Sequence, residues 1–589
     1  MPRGTMANNI TLSWLLVRGG LRRAAGRLNG HPLLRWPLPI LKSDRLLIAP
    51  QDLRTADATR ATEIYSGRFA FAGKVVVCDG RSIFEMEPPS DEWAAVLLGF
   101  GWLRHLRAAE SGITRANARA LVDEWIELQG AWHPMAWRPD VLSRRIISWL
   151  SQAPLVLEDA DTRFYRRFLR SLIRQVRYLR HTAIDARRGI ASMQAVIALN
   201  NAALCIEGQS GHIKSATARL QHEIERQILP DGGHVCRDPG AVIEVLLELL
   251  PLGQAYASRN LAPPQALLNA IDRMMPMLRF FRHSEGTLAH FNGAGATPAE
   301  QLMTLLTYDE THGAPLSNAP YSAYQRLEAG GAVLLMDTGG APPVEMSLEA
   351  HAGCLSFEFS SPKQSLIVVN CGMPRIGRDD WRRFARSTAA HSTVTFNESS
   401  SARFVESATF RRVLGGSPML GGPRNVAVTR DDRDDAIVLR AAHDGYADRY
   451  GVLHERTVVL SNDGMKLEGE DMFLAADGGQ IRRSHDGYAV RFHLHPSIKA
   501  TRLSDGHSVM LMTANKDVWT FSAPEHRVEL EESVYLPGSD GPRRTAQVVI
   551  HGNAATTPRV LWTFQQSNAA SLAAATRQRV RADEPRLPL

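Results

Sequence analysis

Hydrophobic residues recur at helical spacing through the first half of the chain. The pattern is cleanest over residues 164–179, where the apolar side chains fall on one face of a helix and the arginines on another. Apolar residues repeat with the same period elsewhere in this half, at 91–108, 141–150, 192–208, 213–227, 241–258 and 264–281. Amphipathic helices joined by short loops predict helical hairpins that stack into a bundle, a toroid or a solenoid.

The pattern changes near residues 315–323. Beyond them, the apolar runs are short, rich in β-branched and aromatic residues, and separated by glycine, asparagine and aspartate. The second half is therefore predicted to be an antiparallel β-sandwich. We expect four parts in chain order: an N-terminal extension with mixed short elements over 1–90, a helical domain over 91–315, the sandwich over 316–572 and a frayed tail over 573–589.

Length and charge narrow the class of protein. A chain of 589 residues is too long for one hydrophobic core, so at least two domains are expected. The net charge of +7 suits an acidic partner, such as a uronate polymer, a nucleic acid or an anionic membrane surface, or it reflects arginine-rich solvated helix faces. The sequence contains no recognised nucleic-acid-binding module, and no GxxxxGK[ST], HExxH or GxSxG motif. We therefore expect no nucleic-acid partner.

The cysteines and the apolar runs indicate the cellular compartment in which we expect the protein. The five cysteines are odd in number and show no CxxC spacing, so a disulfide framework is not expected. No apolar run reaches the roughly 18 residues of a membrane span, and we predict no transmembrane segment. The short apolar stretch near Trp14 has neither the length nor the cleavage site of a secretory signal. The default location is cytoplasmic.

Several motifs follow one another in a recognisable order. They are Leu229–His234, Glu349–Glu358 leading to Ile367–Gly372, Arg386–Val394, and, in the C-terminal half, Asp444–Tyr446 and His454–Arg456. As an ordered set behind a helical half, they resemble the heparinase II/III family of polysaccharide lyases. The resemblance implies an incomplete α/α toroid joined to an antiparallel β-sandwich. It also implies β-elimination on an acidic, uronate-containing glycan, and members of this family are often found in the periplasm or cell envelope.

The resemblance also shows where the chain departs from an active lyase. Such enzymes carry an Asn-His pair, a Tyr-His pair and a histidine on the first sandwich motif, which neutralise the uronate carboxylate and move protons. The corresponding positions here are Asn201-Ala202, Ala241-Val242 and Glu349. The neutralising asparagine is retained, whereas the usual base and acid are absent.

A lyase would therefore need a rearranged set of residues. His234 and Arg237 lie on a loop at a helix end, Glu349 stands where a histidine is usual, and Tyr446 is a candidate acid. The predicted catalytic set is Asn201, His234, Arg237, Glu349 and Tyr446. The predicted substrate-binding residues are Arg170, Arg174, Tyr324, His290 and Asn292. For each of them, the alternative is a structural role as a packed, capping or solvated side chain.

The resemblance further implies a structural zinc ion in the sandwich. Its ligands would be His351, Asn370 and His391, where the family has two histidines and an aspartate. The histidines suit zinc, but asparagine is a poorer ligand because it is neutral. The alternative is that the two histidines form hydrogen bonds within the sandwich and hold no metal.

Three functions remain open at this stage. The first is a lyase-like enzyme that acts on an acidic polysaccharide between the two halves. The second is a glycan-binding protein that kept the fold and lost the chemistry. The third is a glycoside hydrolase, for which Asp231, Asp238, Glu244 and Glu349 supply carboxylates. A homodimer is left open.

Overall fold

The computed structural model contains helices up to residue 306 and mainly strands from residue 318 onward. The predicted tail 573–589 and most of residues 1–44 lie outside the residues that the structure describes. Those described residues are 12–17, 19–20, 45–128, 134–183, 189–309, 313–374, 379–481, 487–538 and 541–567.

The helical half also contains one hairpin. Residues 12–17 and 19–20 are helical. A hairpin of β1 (Arg68–Phe71) and β2 (Lys74–Val77) follows α1 (Ala58–Tyr65). The remaining helices are α2 (Asp91–Gly99), α3 (Leu103–Ala108), α4 (Gly112–Leu128), α5 (Pro139–Ser151), α6 (Ala153–Leu157), α7 (Thr162–Thr182), α8 (Ile190–Cys205), α9 (Ile213–Gln227), α10 (Pro239–Ser258), α11 (Gln265–Phe280) and α12 (Ala299–Leu306).

These helices form two layers. Helices α2, α5, α8 and α10 pack side by side as an inner layer, and α4, α7, α9 and α11 cover them from outside. The inner helices α8 and α10 are buried around most of their circumference, whereas α7 and α9 bury one face. This division explains the sequence pattern, because outer helices need one apolar face and inner helices need more. The arrangement is the expected incomplete α/α toroid.

Helix α10 departs from one expectation. Pro239–Ser258 is long and apolar enough to cross a membrane by length and composition, the one such helix in the described part of the chain. Most of its residues are buried within the toroid, and it carries Glu244 and Glu248. A core helix passes the same test of length and composition, so this helix is weak evidence for a membrane span.

The strands form the second half. They are β3 (Asn318–Ala319), β4 (Tyr324–Ala329), β5 (Ala332–Asp337), β6 (Phe357–Ser360), β7 (Leu366–Val369), β8 (Val394–Phe396), β9 (Arg403–Phe404), β10 (Met419–Gly421), β11 (Val426–Asp432), β12 (Ala436–His443), β13 (Val452–Ser461), β14 (Lys466–Ala475), β15 (Gly487–Leu494), β16 (Lys499–Arg502), β17 (Ser508–Met512), β18 (Val518–Ser522), β19 (Val528–Tyr535), β20 (Arg543–Asn553) and β21 (Arg559–Gln566). Three short helices interrupt them: α13 (Asp379–Ala385), α14 (Ala408–Leu414) and α15 (Ala447–Tyr450).

Two large antiparallel sheets face each other. One has the order β11-β12-β13-β14-β21-β18-β17-β16, and the other β19-β20-β15-β7-β6-β5-β4-β3, with β8 also paired to β15. Phe357 of one sheet stacks on Trp562 of the other, with 5.7 Å between the ring centres. Side chains of both sheets share one buried core. The predicted sandwich is therefore present.

A buried ion pair lies inside this core. The Arg456 guanidinium donates to both oxygens of Asp471, at 2.8 and 3.0 Å, and the Trp562 indole donates to the same carboxylate at 2.9 Å. Arg456 also donates to the carbonyl oxygens of Leu355 and Ser392. Every polar group of the pair thus has a partner, which a buried charge requires.

Gly469 tests the packing of this core. A methyl group at Gly469 would lie 2.0 Å from the Trp562 ring, so Gly469→Ala forces the indole to move. We expect a loss of about 2 kcal/mol in the free energy of unfolding, as for other overpacked cores. Chemical denaturation would measure it. Gly487→Ala is the control, because a methyl group there meets only the Gly552 carbonyl oxygen, 3.7 Å away. Equal stability of the two variants would contradict this packing.

Candidate functional site

The two halves meet around a buried arginine. Arg237 lies in the turn before α10 and adopts a left-handed backbone conformation, with φ of 65°. Its guanidinium forms an ion pair with Asp337 and donates to the carbonyl oxygens of Ser322 and Gly340, both at 2.9 Å. It also lies over the Tyr324 ring, 4.9 Å from the ring centre. Although burial opposes it, Asp337 holds the pKa of Arg237 above its ordinary value.

Tyr324 and Asn292 complete this cluster. The Tyr324 hydroxyl donates to the Arg237 carbonyl oxygen at 2.5 Å. The Asn292 amide donates to the Tyr324 hydroxyl at 2.7 Å and to Asp337 at 2.9 Å, and its oxygen accepts from the His351 backbone at 3.1 Å. Burial, then the Asp337 charge, raises the pKa of Tyr324 well above its ordinary value. We call Arg237, Asn292, Tyr324 and Asp337 the junction network. Three predicted site residues meet there, but they bind one another.

The His234 side chain also forms hydrogen bonds with neighbouring residues. It is buried, its Nε2 lies 2.9 Å from the Gln227 amide oxygen, and its Nδ1 lies 2.8 Å from the Cys236 sulfur. Because an amide oxygen only accepts, Nε2 carries the proton and Nδ1 accepts from the thiol. Burial lowers the pKa of His234 to about 4, so the imidazole is neutral near pH 7. Both ring nitrogens are therefore occupied by neighbours in the turn.

His290 belongs to a second buried cluster. Its backbone N–H donates to the Glu358 carboxylate at 3.0 Å, and His283 Nε2 lies 3.0 Å from the same oxygen. The Asn370 N–H donates to the other carboxylate oxygen at 2.9 Å. Although burial opposes it, the hydrogen bonds from His283 and His290 hold the pKa of Glu358 below its ordinary value. Glu358 thus ties the loop before the sandwich to strands β6 and β7.

The other predicted residues lie apart from the junction network. Tyr446 is buried in the sandwich, where its hydroxyl donates to the Val394 carbonyl oxygen at 2.7 Å. Burial raises the pKa of Tyr446 above its ordinary value. Arg170 and Arg174 are exposed on α7, on the face opposite its buried residues. Because α7 is an outer helix, this basic face points away from the inner layer.

The inner layer carries a charged cluster that the sequence analysis did not identify. Arg54 lies 3.0 Å from Glu244 and 2.8 Å from Glu248, and Arg144 lies 2.7 Å from Glu248. Asp52 is 3.9 Å from Arg144. The arginines of this cluster are thus paired with carboxylates. One sequence signal could have identified this cluster. Glu244 and Glu248 are four residues apart, which puts both on one face of α10.

Asn201 lies on the inner helix α8. It is buried, and its side-chain oxygen has no hydrogen-bond partner in the described part of the chain. Ala241 and Val242, which the family resemblance aligns with the usual Tyr-His pair, are buried in α10. Neither of these two side chains can transfer a proton.

Asp238 and Glu349 approach each other from the two halves. A methyl group at Gly293, whose φ is 101°, would lie 3.0 Å from Glu349 Cβ and 3.3 Å from an Asp238 carboxylate oxygen. Asp238 caps α10 by accepting from the Gly240 N–H at 2.7 Å. Burial, with a further contribution from Glu349, raises the pKa of Asp238 to about 8. Both carboxylates were candidates for a hydrolase, and a protonated carboxyl beside a second carboxylate is an acid–base arrangement.

The predicted zinc ligands are only partly brought together. His351 Nδ1 lies 3.0 Å from His391 Nε2, and His391 Nδ1 lies 2.7 Å from the Ser387 carbonyl oxygen. The Asn370 oxygen accepts from the Ser392 N–H at 3.0 Å, which leaves its amide nitrogen on the other side. The oxygen keeps a second lone pair, so this hydrogen bond does not remove Asn370 from the predicted ligand set. Zinc at His351, Asn370 and His391 stays a prediction.

Comparison with known proteins identifies the family. The family described as heparinase II/III-like, C-terminal, matches residues 311–563. A crystal structure of heparinase III superposes with a TM-score of 0.69 at 13% identity, over 94% of this chain and 92% of that one. The heparan sulfate lyase HepC of Pedobacter heparinus, in a mutant form, superposes with a TM-score of 0.60 at 14% identity, over 97% and 92%. The chain therefore matches the heparinase II/III-like family by sequence over residues 311–563, and it shares the fold of the solved lyases over nearly its whole length.

A curated relative matches almost the whole of the chain. FtsZ-localized protein C of Caulobacter vibrioides is 29% identical over 552 residues, which is 91% of this chain and 94% of the relative. The solved lyases, at 15% identity or less, establish the toroid and the sandwich but not an activity.

The raised pKa of Asp238 predicts a pH-dependent stability. The folded state keeps the proton up to about pH 8, whereas the unfolded carboxyl loses it near its ordinary value. The folded state thus binds more protons between these values, and stability falls as pH rises through this window. Asp238→Asn should remove this pH dependence of the free energy of unfolding while keeping the helix cap. Urea denaturation at a series of pH values from about 5 to about 9 would measure it. An unchanged slope would contradict the raised pKa.

The histidine pair predicts a second measurable effect. His391→Ala removes two buried hydrogen bonds and leaves His351 Nδ1 without its partner. We expect a loss of about 1–3 kcal/mol in stability. Thermal melting with and without a chelator, together with metal analysis, would test both alternatives. His222→Ala, at an exposed side chain of α9, is the control. An unchanged Tm and metal content would show that the pair matters for neither.

Proposed function

We propose that this chain uses the heparinase fold as a binding scaffold where FtsZ assembles, rather than as a β-eliminating lyase. The observation that carries the proposal is the burial in α10 of Ala241 and Val242, which the family resemblance aligns with the tyrosine and histidine of active lyases. Elimination requires one group that removes the proton beside the uronate carboxylate and another that protonates the leaving oxygen. Neither aliphatic side chain can transfer a proton.

Three other residues of the predicted catalytic set already form hydrogen bonds within the protein. Both ring nitrogens of His234 form hydrogen bonds with Gln227 and Cys236, and the Arg237 guanidinium is paired within the junction network. Tyr446 donates to the sandwich backbone. A group whose hydrogen bonds are already made inside the protein cannot also bind a substrate without breaking them, which costs about 1–3 kcal/mol for each buried partner left unpaired.

The charges of the inner layer favour the same conclusion. A uronate polymer needs unpaired cations along its path, because each sugar carries a carboxylate. Arg54 and Arg144 are instead paired with Glu244 and Glu248. The exposed arginines of α7 lie on the outer layer and do not supply the missing charge.

The proposed location at FtsZ assemblies is supported by the name of the relative. FtsZ-localized protein C matches 91% of this chain over 94% of its own length, so the match involves both the helical half and the sandwich of this chain.

A second candidate is the lyase-like enzyme that the family resemblance implies. Its support is Asn201, whose buried side-chain oxygen lacks a partner among the described residues. In this reading Asn201 faces the carboxyl group of a uronate, and Glu349 and Asp238 move the protons. The same carboxyl pair supports a glycoside hydrolase.

Two assays separate these functions. The purified chain should sediment with FtsZ polymers formed with GTP and stay in the supernatant without GTP. Mixed with a panel of uronate polymers, it should produce no ultraviolet absorbance from unsaturated uronates and no new reducing ends. Failure to sediment would reject the scaffold at FtsZ. Absorbance that Asn201→Ala and Glu349→Gln each abolish would establish the lyase, and new reducing ends without absorbance would establish the hydrolase.

A further inference from the structure

Three side chains with metal-ligand atoms meet on one face of the sandwich. They are Glu529 and Glu531 of the edge strand β19 and His551 of its neighbour β20. One carboxylate oxygen of each glutamate and one ring nitrogen of the histidine all lie within 4.8 Å of one another. Carboxylate oxygens and an imidazole nitrogen are ligands that zinc takes in proteins. The structure therefore brings a zinc-type ligand set to one point.

The strands fix the direction of these side chains. Successive residues of a strand point to opposite faces of the sheet, so Glu529 and Glu531 share one face. Val528 and Ile550, which are paired across the two strands, belong to the core of the sandwich. The glutamates and His551, which follow them at odd spacing, therefore point away from that core. Two adjacent strands of one sheet hold the ligands on a rigid frame.

Glu531 and His551 already lie close to the geometry of two zinc ligands. Glu531 Oε1 is 3.1 Å from His551 Nε2. Two atoms that bind a tetrahedral zinc ion at about 2.0–2.1 Å are about 3.3 Å apart, so an ion between them needs a shift of a few tenths of an ångström. The third ligand, Glu529, is only partly buried and can rotate toward them. Its ion pair with Arg527 is weak, because the atoms are 3.7 Å apart and Arg527 is 75% exposed.

Two neighbours hold the second oxygen of the Glu531 carboxylate. Arg491 Nη1 and Gln547 Nε2 each donate to Glu531 Oε2 at 3.2 Å. Oε2 is thus occupied, and Oε1 faces His551. A carboxylate that is oriented in advance by outer hydrogen bonds binds a metal ion more tightly, because the ion does not have to order it.

Gln547 gives an independent indication of a ligand. Its side chain is only 8% exposed, and its oxygen has no hydrogen-bond partner in the described part of the chain. Buried acceptors nearly always have a partner. The Gln547 amide contacts the Glu531 carboxylate, so the unpaired oxygen lies beside the three ligand atoms. A water molecule bound to an ion there would supply the missing donor.

We propose that Glu529, Glu531 and His551 bind one zinc ion, with a water molecule as the fourth ligand. The imidazole favours zinc over magnesium and calcium, which prefer oxygen ligands alone. The two carboxylates supply the negative charge that a divalent cation requires. The ion joins the edge strand β19 to β20, away from the histidine pair of the sandwich interior. The site depends neither on FtsZ nor on β-elimination.

Isothermal titration calorimetry tests this site on the full chain after metal is removed with EDTA. The wild type should bind one equivalent of zinc more than His551→Ala, whatever the histidine pair of the interior binds. Glu531→Gln should weaken this binding at least about tenfold. Arg527→Gln should strengthen it, because it removes a cation beside Glu529. His222→Ala, at an exposed histidine of α9, is the matched control and should bind as the wild type does.

The contrary outcomes are distinct. Equal zinc uptake by the wild type and His551→Ala would overturn the proposal. An equal loss in His222→Ala would show adventitious zinc on surface histidines only. Calcium that binds as tightly as zinc would show a general acidic surface instead of a zinc site. His551 is half exposed, so its replacement should leave the melting temperature in EDTA unchanged, and the gain expected from Arg527→Gln cannot arise from misfolding. Because no FtsZ is present, none of these results bears on the scaffold function.

Discussion

The ion pair between Arg237 and Asp337 joins the two halves of the molecule. Arg237 precedes the inner helix α10 and Asp337 ends strand β5, so this contact links the toroid to the sandwich. A buried ion pair is costly unless its remaining hydrogen bonds are satisfied. The Asn292 amide, the Gly339 N–H and three backbone carbonyl oxygens satisfy them here. Removing one partner would leave a charge in a closed interior.

The same constraint explains why loop residues that resemble catalytic groups are structural. A turn at a domain junction needs polar side chains to satisfy its own backbone, since such groups are otherwise stranded when the halves close over them. Gly339 shows how tight this closure is. A methyl group there would lie 2.2 Å from the Arg237 guanidinium. Polar loop residues at a junction are therefore ambiguous in sequence, and only their partners decide the role.

The sequence predicted the two-part fold because the periods of its apolar residues are physical consequences of helices and strands. It also located the sandwich motifs, including the Arg456 that is buried against Asp471. It did not predict the pairing of Arg54 and Arg144 with the glutamates of α10, nor the burial of Glu358. These contacts join residues far apart in the chain, and pattern within one segment carries no information about partners in another. The approach of Asp238 to Glu349 depends on Gly293, a third distant segment.

The buried polar interactions that stabilise the fold do not involve the positions where an active lyase would carry its proton-transfer groups. The junction network, the Arg456–Asp471 pair and the Glu358 cluster carry the buried polar interactions, and none of them uses Ala241, Val242 or Ala202. Aliphatic side chains at those positions add to the apolar core of the inner helices instead of leaving polar groups to be satisfied. Aliphatic side chains at these positions are therefore compatible with the fold, and the proposed scaffold role requires no proton-transfer group there.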